Sequence, residues 1–258
     1  MTGQAVEAVE CRRCGEPFDR TVVIIGPARL GPSLCLACED EDAASHKAPT
    51  QRVESTEDWL LALGVNTRKH GRATVDNFDP ADSPKAALAA REFVVEVQES
   101  RVHDRVRGLY LVSSEKGTGK THLAVAIMRA VHERRPDVSV LFDPADRLIT
   151  KIQDSYGTGT TDSLIEARRK AGLYVLDDLG REKDTTDALR TICTILDERE
   201  GAPTVITSNH VPHDLGARHS DADLWARVAS RLGDEVYRYV AVEGRDRRFA
   251  QRTQARAS

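Results

Sequence analysis

The sequence predicts an α/β fold in which a central parallel sheet is covered by helices on both faces, with a small cysteine-bearing module ahead of it. Three observations carry that expectation. Strand-like apolar runs alternate with amphipathic helical stretches between residues 108 and 208, the order that builds parallel sheets. Those runs, such as Leu109-Tyr110-Leu111-Val112 and Leu173-Tyr174-Val175-Leu176, are apolar almost without interruption, as when both faces of a sheet are covered. Four of the five cysteines fall in the first 45 residues as two C-x-x-C pairs with 20 residues between them.

The cysteine module comes first. Cys11 and Cys14 in CRRC, and Cys35 and Cys38 in CLAC, each place two thiolates on one tight turn, and two such turns supply a tetrahedral sulfur shell suited to Zn²⁺. Thr21-Val22-Val23-Ile24-Ile25 reads as a strand, bounded by the Gly26-Pro27 and Gly31-Pro32 breaks. Disulfides fit this chain poorly, because Met1 to Glu10 has neither the basic nor the apolar region of a secretion signal. The predicted zinc is structural, since four cysteines leave no open position for water. Residues 1–45 form this module, and 46–57 read as a linker, following Glu39-Asp40-Glu41-Asp42 with Ala, Ser, Pro, Thr and Gln.

From Asp58 apolar residues return at helical spacing in Trp59, Leu60 and Leu63, and the second domain is assigned to 58–258. Its elements read in order as a strand over 108–113, a helix from 120 to about 134, and a strand over 138–142. A helix from about 144 to 154, a strand over 173–177, a helix from about 185 to 200 and a strand over 204–208 follow. Cys193 stands among apolar neighbours and reads as a core thiol.

The chemistry gathers at the strand ends. Between the first of these strands and its helix runs Ser113-Ser114-Glu115-Lys116-Gly117-Thr118-Gly119-Lys120-Thr121. Gly117, Thr118 and Gly119 let the backbone wrap an anion with its N–H groups inward. The helix tip adds positive charge, Lys120 reaches the β- and γ-phosphates, and Thr121 ligates Mg²⁺. The pattern's usual first glycine is Ser114 here. A second strand ends in Asp177-Asp178; Asp177 is placed to hold the Mg²⁺ and Asp178 to orient or deprotonate the attacking water. Thr204 to Ser208 leads to Asn209, a polar group able to reach the γ-phosphate. In the helix around Asp223–Leu232, Arg227 and Arg231 share a face. They are either solvated, with Asp223 pairing Arg227, or an arginine finger for a neighbour's ATP, Arg231 being favoured.

GTGKTHLA, LDDLG, the Leu-Asp-Glu-Arg-Glu helix end before ITSN, the RVASRL helix and the upstream Val75-Asp76-Asn77-Phe78-Asp79-Pro80 together resemble the DnaC/IstB-type AAA+ ATPases over roughly residues 70–250. The resemblance implies a P-loop NTPase (AAA+) three-layer sandwich. Lys120 and Thr121 then form the Walker A pair, Asp177 and Asp178 the Walker B pair, Asn209 the first sensor and Arg231 the trans-acting finger. Arg247 resembles the second-sensor arginine, and a basic tail is the competing account. Only 49 residues follow Asn209, so the lid is reduced. Phe78 packs against adenine or is a domain-edge hydrophobe.

Within that family the cysteine quartet resembles the zinc-bearing DnaI-like and phage helicase loaders. The implied function is an ATPase that binds the hexameric replicative DNA helicase, delivers it to single-stranded DNA and assembles as a homo-oligomer through its finger. A transposition helper on duplex DNA, a replication initiator and a non-catalytic adaptor are the alternatives; no base-reading helix-turn-helix is evident for the initiator. Composition agrees with a folded protein: 40% hydrophobic and 30% charged residues exclude collagen-like, low-complexity and disordered classes. No apolar run approaches the roughly 20 residues that span a bilayer. The expectation is a cytoplasmic protein of a bacterial or phage-infected bacterial cell, without membrane contact. A net charge of −4, acidic at the head and basic at the tail, identifies no DNA-contacting residue.

Overall fold

The computed structural model describes residues 2–10, 16–25, 28–30, 55–100, 105–181, 186–216, 221–244 and 246. The chain divides into two compact units, Met1–Glu54 and Ser55–Ser258.

In the first unit β1 (Thr2–Glu10), β2 (Pro17–Ile25) and β3 (Ala28–Leu30) form an antiparallel sheet in that order. Thr2 pairs with Ile25 and Glu10 with Pro17. The strand read over 21–25 is therefore longer, and its partner β1 was not legible. Ala5-Val6-Glu7-Ala8-Val9-Glu10 repeats every three residues, which matches neither the period of a strand nor that of a helix. Cys11, Cys14, Cys35 and Cys38 lie outside the described residues, and no group of three or more potential metal ligands occurs among those described.

The second unit opens with α1 (Thr56–Ala62), α2 (Thr67–His70) and α3 (Pro84–Glu99). Ser55 caps α1 by accepting from the Asp58 N–H at 3.2 Å, and Pro84 starts α3 at the position where its missing N–H costs nothing. Then follow β4 (Gly108–Val112), α4 (Lys120–Arg134), β5 (Val140–Pro144), α5 (Ala145–Ser155), α6 (Thr161–Lys170) and β6 (Leu173–Leu179). The described residues then give α7 (Thr186–Glu198), β7 (Thr204–Ser208), α8 (Pro212–Gly216), α9 (Ala222–Arg231) and β8 (Tyr237–Ala241). Among the described residues no helix is long and apolar enough to cross a membrane.

The five strands make one parallel sheet in the order β5-β6-β7-β4-β8. Side chains alternate between two cores. Leu109, Leu111, Val175 and Val205 face the α3 and α4 side, with Phe93, Leu123 and Ile127. Tyr110, Tyr174, Leu176 and Ile206 face the other, with Leu148, Leu196 and Trp225. Helix, sheet and helix thus form three layers, and the unbroken apolar strands follow from burial on both faces.

Among the elements that the sequence reading left out, besides α2, α3 and α8, α6 and the edge strand β8 carry little local signal. α6 buries only Arg168 completely, so it lacks an apolar stripe. Its guanidinium grips the buried Asp143 of β5 (Nε to Oδ2 2.8 Å, Nη2 to Oδ1 3.0 Å). β8 is an edge strand, on which Arg238 donates to both carboxylate oxygens of Glu96 at 2.9 Å. The layout sets the site. The chain leaves β4 for the β5 edge and later passes from β7 to β8 on β4's other side, so the crevice beyond the carboxyl ends of these strands is the switch point where α/β sheets bind ligands.

Candidate active site

The turn from β4 into α4 lies in this crevice. Gly117 (φ +78°) and Gly119 (φ +105°) adopt the left-handed conformation that side chains resist. A Cβ on Gly119 would come within 2.8 Å of the Phe78 ring. Phe78 is 1% exposed and tilted on His122 at 5.9 Å. It supports the turn from beneath and belongs to the core, so the account in which it packs on adenine is corrected. Ser114 needs no glycine, because Asp178 is the one non-glycine with positive φ among the described residues.

Lys120 is buried, and its Nζ donates to the carbonyls of Ser113 (3.2 Å) and Glu115 (3.0 Å), which holds the ammonium over the turn. Thr118 is 1% exposed, and its Oγ1 has no hydrogen-bond partner among the described residues. A buried hydroxyl without a partner is costly unless something accepts from it, and a phosphate oxygen would. Glycines with left-handed φ, a buried ammonium and this hydroxyl together fit a polyphosphate.

Across the crevice, Thr121 Oγ1 donates to Asp177 Oδ1 at 3.0 Å. β7 lies between β4 and β6, and its Thr207 hydroxyl donates to the same oxygen at 2.7 Å while accepting from the Asp178 N–H at 2.8 Å. Burial, with a smaller contribution from the charge of Asp178, pushes the Asp177 carboxyl up to about 6, against the pull of Thr207, Thr121 and Lys120. A buried carboxylate beside a hydroxyl is a pair of hard oxygen donors suited to a divalent cation.

The register of β6 on β7 shifts between Leu176 and Leu179. That irregularity swings the two aspartates apart: Asp177 is buried, whereas Asp178 (φ +60°) is partly exposed and accepts from Arg181 Nη1 at 3.1 Å. Ser208 Oγ donates to Leu179 O at 2.7 Å and accepts from the His210 N–H at 3.1 Å. This fixes the turn that carries Asn209, which lines a cleft of about 500 Å³ with Ser113, Ser114, Glu115 and His210.

Arg231 stands elsewhere, at the end of α9, in a two-point ion pair with Asp197 of α7. Arg247 lies outside the described residues; its neighbour Asp246 is close enough to Gly117 that a Cβ there would meet Asp246 Oδ1 at 1.8 Å. The site thus gathers Gly117, Thr118, Gly119, Lys120, Thr121, Asp177 and Asp178, with Asn209 lining the adjoining cleft. Thr207, Arg181 and Asp197 were not foreseen, since each reads as an ordinary strand, loop or helix residue until its neighbours are known.

Comparison with known proteins places this arrangement. The family described as IstB-like ATP binding protein matches residues 74–255. An ATP-binding protein of insertion sequence IS1162 from Pseudomonas fluorescens is 25% identical over 126 residues, 49% of this chain and 54% of that protein. The chromosomal replication initiator DnaA of Methylibium petroleiphilum is 29% identical over 120 residues, 45% of this chain and 24% of that one. The matched part thus spans about half or less of these relatives. Among solved structures, DnaI superposes with a TM-score of 0.59 at 27% identity over 68% of this chain and 93% of that one. The DnaC helicase loader (0.57, 23%, covering 68% and 99%) and DnaA bound to AMPPCP and single-stranded DNA (0.55, 19%, covering 67% and 50%) have the same fold. Matched from Thr74, just ahead of the buried Phe78, to Ala255, the chain belongs to the IstB-like family of ATP-binding proteins.

Proposed function

We propose that the protein hydrolyses ATP in order to load a hexameric replicative DNA helicase onto single-stranded DNA. The observation that carries the reading is the likeness of the second unit to DnaI over nearly the whole of that chain, joined to a separate N-terminal unit whose sequence holds a cysteine quartet. The turn of Gly117 to Lys120 binds the phosphates, with the Lys120 ammonium opposite their negative charge. Thr121 and Asp177 hold Mg²⁺, which when bound neutralises charge on the phosphates. Asp178, released from Arg181, orients the attacking water and accepts its proton, and Asn209 contacts the γ-phosphate from the cleft side. Arg231 of a neighbouring copy reaches the transferring group, so hydrolysis is slow in the monomer and rises on assembly. Arg247 acts as second sensor. Cys11, Cys14, Cys35 and Cys38 hold Zn²⁺ in a unit that docks on the helicase in the bacterial cytoplasm.

The insertion-sequence relative favours a second reading, a transposition helper on duplex DNA. The two separate in one experiment: the intact chain is incubated with the hexameric helicase, ATP and labelled single- or double-stranded DNA. Transfer of the helicase onto single strands, lost in Lys120→Ala together with at least about tenfold of ATP affinity, is the expected result. Coating of duplex DNA without helicase capture would replace the loader by the helper. Unchanged ATP turnover in Lys120→Ala would remove both.

A further inference from the structure

We propose that Asp197 is the positioning residue for the intersubunit arginine: it grips one edge of the Arg231 guanidinium and so presents the opposite edge to the nucleotide of a neighbouring copy. This rests on the reading of Arg231 as the finger.

The argument lies in which N–H groups are taken. Nε donates to Asp197 Oδ1 and Nη2 to Oδ2 (3.3 Å), so the carboxylate occupies the side of the guanidinium. Nη1 donates to the Arg227 carbonyl at 3.4 Å. Among the described residues these bonds use three of the five N–H groups. The remaining two are one on Nη1 and one on Nη2, the two nitrogens whose end-on fork matches two oxygens of a phosphate.

The platform is fixed. Asp197 is in the last turn of α7 and Arg231 is the last residue of α9. The two helices bury Leu189, Ile192 and Leu196 with Trp225 and Val228 in one core. Both charged side chains remain about one-third to two-fifths exposed (35% and 42%), so a surface pair of this kind adds little to stability. Its effect is on conformation. A free arginine samples many rotamers, and holding it in one removes an ordering cost from the encounter with the neighbour's nucleotide.

The test compares ATP hydrolysis against protein concentration for the wild type, Arg231→Ala, Asp197→Asn and the double variant, with ATP binding measured for each. For Asp197→Asn, an assembled-state kcat about tenfold lower is expected at a KM within about twofold of wild type. Arg231→Ala is expected to fall further, and the double variant to equal Arg231→Ala, since Asp197 then has nothing to aim. Asp197→Glu, which keeps the charge but shifts the fork by one methylene, is expected to fall between and serves if the Asn variant does not fold. A kcat at or above wild type in Asp197→Asn, with Arg231→Ala still impaired, overturns the positioning role and leaves the finger standing. Wild-type hydrolysis in Arg231→Ala removes the finger, and the positioning role with it.

Discussion

At the scale of single residues, one threonine organises both aspartates. Thr207 Oγ1 lends its hydrogen to Asp177 Oδ1 and its lone pair to the Asp178 N–H, and Thr207 is fully buried. Replacing it by valine keeps the volume, yet strips a donor from a buried carboxylate and an acceptor from a backbone N–H, for about 1–3 kcal/mol. Thr207→Val is therefore expected to melt at lower temperature and to hydrolyse ATP at least about tenfold more slowly, whereas Thr207→Ser keeps most of both. Calorimetry and steady-state turnover check it; a valine variant with wild-type turnover would show that the bridge does not position the acids. Removing the donor also drives the Asp177 carboxyl further upward, because Thr207 opposes the effect of burial. Lys120, Thr121 and Asp177 were legible in the sequence because a phosphate loop and a strand-end acid have fixed local patterns. Thr207 was not, because its role follows from β7 lying between β4 and β6, a fact of strand order.

At the scale of elements, the ends of α6 and α7 and the starts of β6 and β7 are tied together by a buried arginine. Arg199 is 1% exposed. Its Nη1 donates to the carbonyls of Arg168 (2.7 Å) and Ala171 (2.8 Å), Nη2 to Pro203 O (2.5 Å) and Nε to Thr204 Oγ1 (3.0 Å). The guanidinium also lies over the Tyr174 ring, 5.4 Å from its centre. Burial lowers its pKa to about 10, so it stays charged at neutral pH, with helix-end carbonyls as its acceptors. Arg199→Met fills similar space but orphans those carbonyls, at a cost of about 2–4 kcal/mol. Arg199→Lys is expected to recover only part of it, since an ammonium cannot reproduce the planar fork. Urea unfolding midpoints measure both. The sequence placed α4 and β7 at their observed bounds, because apolar periodicity and a glycine start mark them clearly. It extended α7 through Glu200, although the helix closes at Glu198. The chain turns off at the left-handed Gly201 (φ +81°), with the Ala202 N–H donating to Arg199 O; that the Arg199 guanidinium also collects carbonyls from the end of α6 and from Pro203 is not written in local propensity.

At the scale of the whole molecule, the question is whether the two units depend on each other. Ser55–Ser258 has two cores of its own, one on each face of the sheet, and the phosphate turn, Asp177 and Thr207 all belong to it. Nucleotide binding should therefore survive removal of the zinc proposed for the first unit's cysteines. Among its described residues the first unit is a sheet of three strands, the kind of small module that needs a crosslink or a metal to hold together. With Cys35→Ser and Cys38→Ser combined, zinc measured by atomic emission is expected to fall from about one per chain to near zero. ATP affinity should stay within about twofold, and capture of the helicase should be lost. A protein that binds no zinc to begin with would refute the reading of the cysteine spacing. Zinc loss that also abolished ATP binding would refute the independence of the units, because a metal whose removal reached Lys120 would have to be part of the second unit's core.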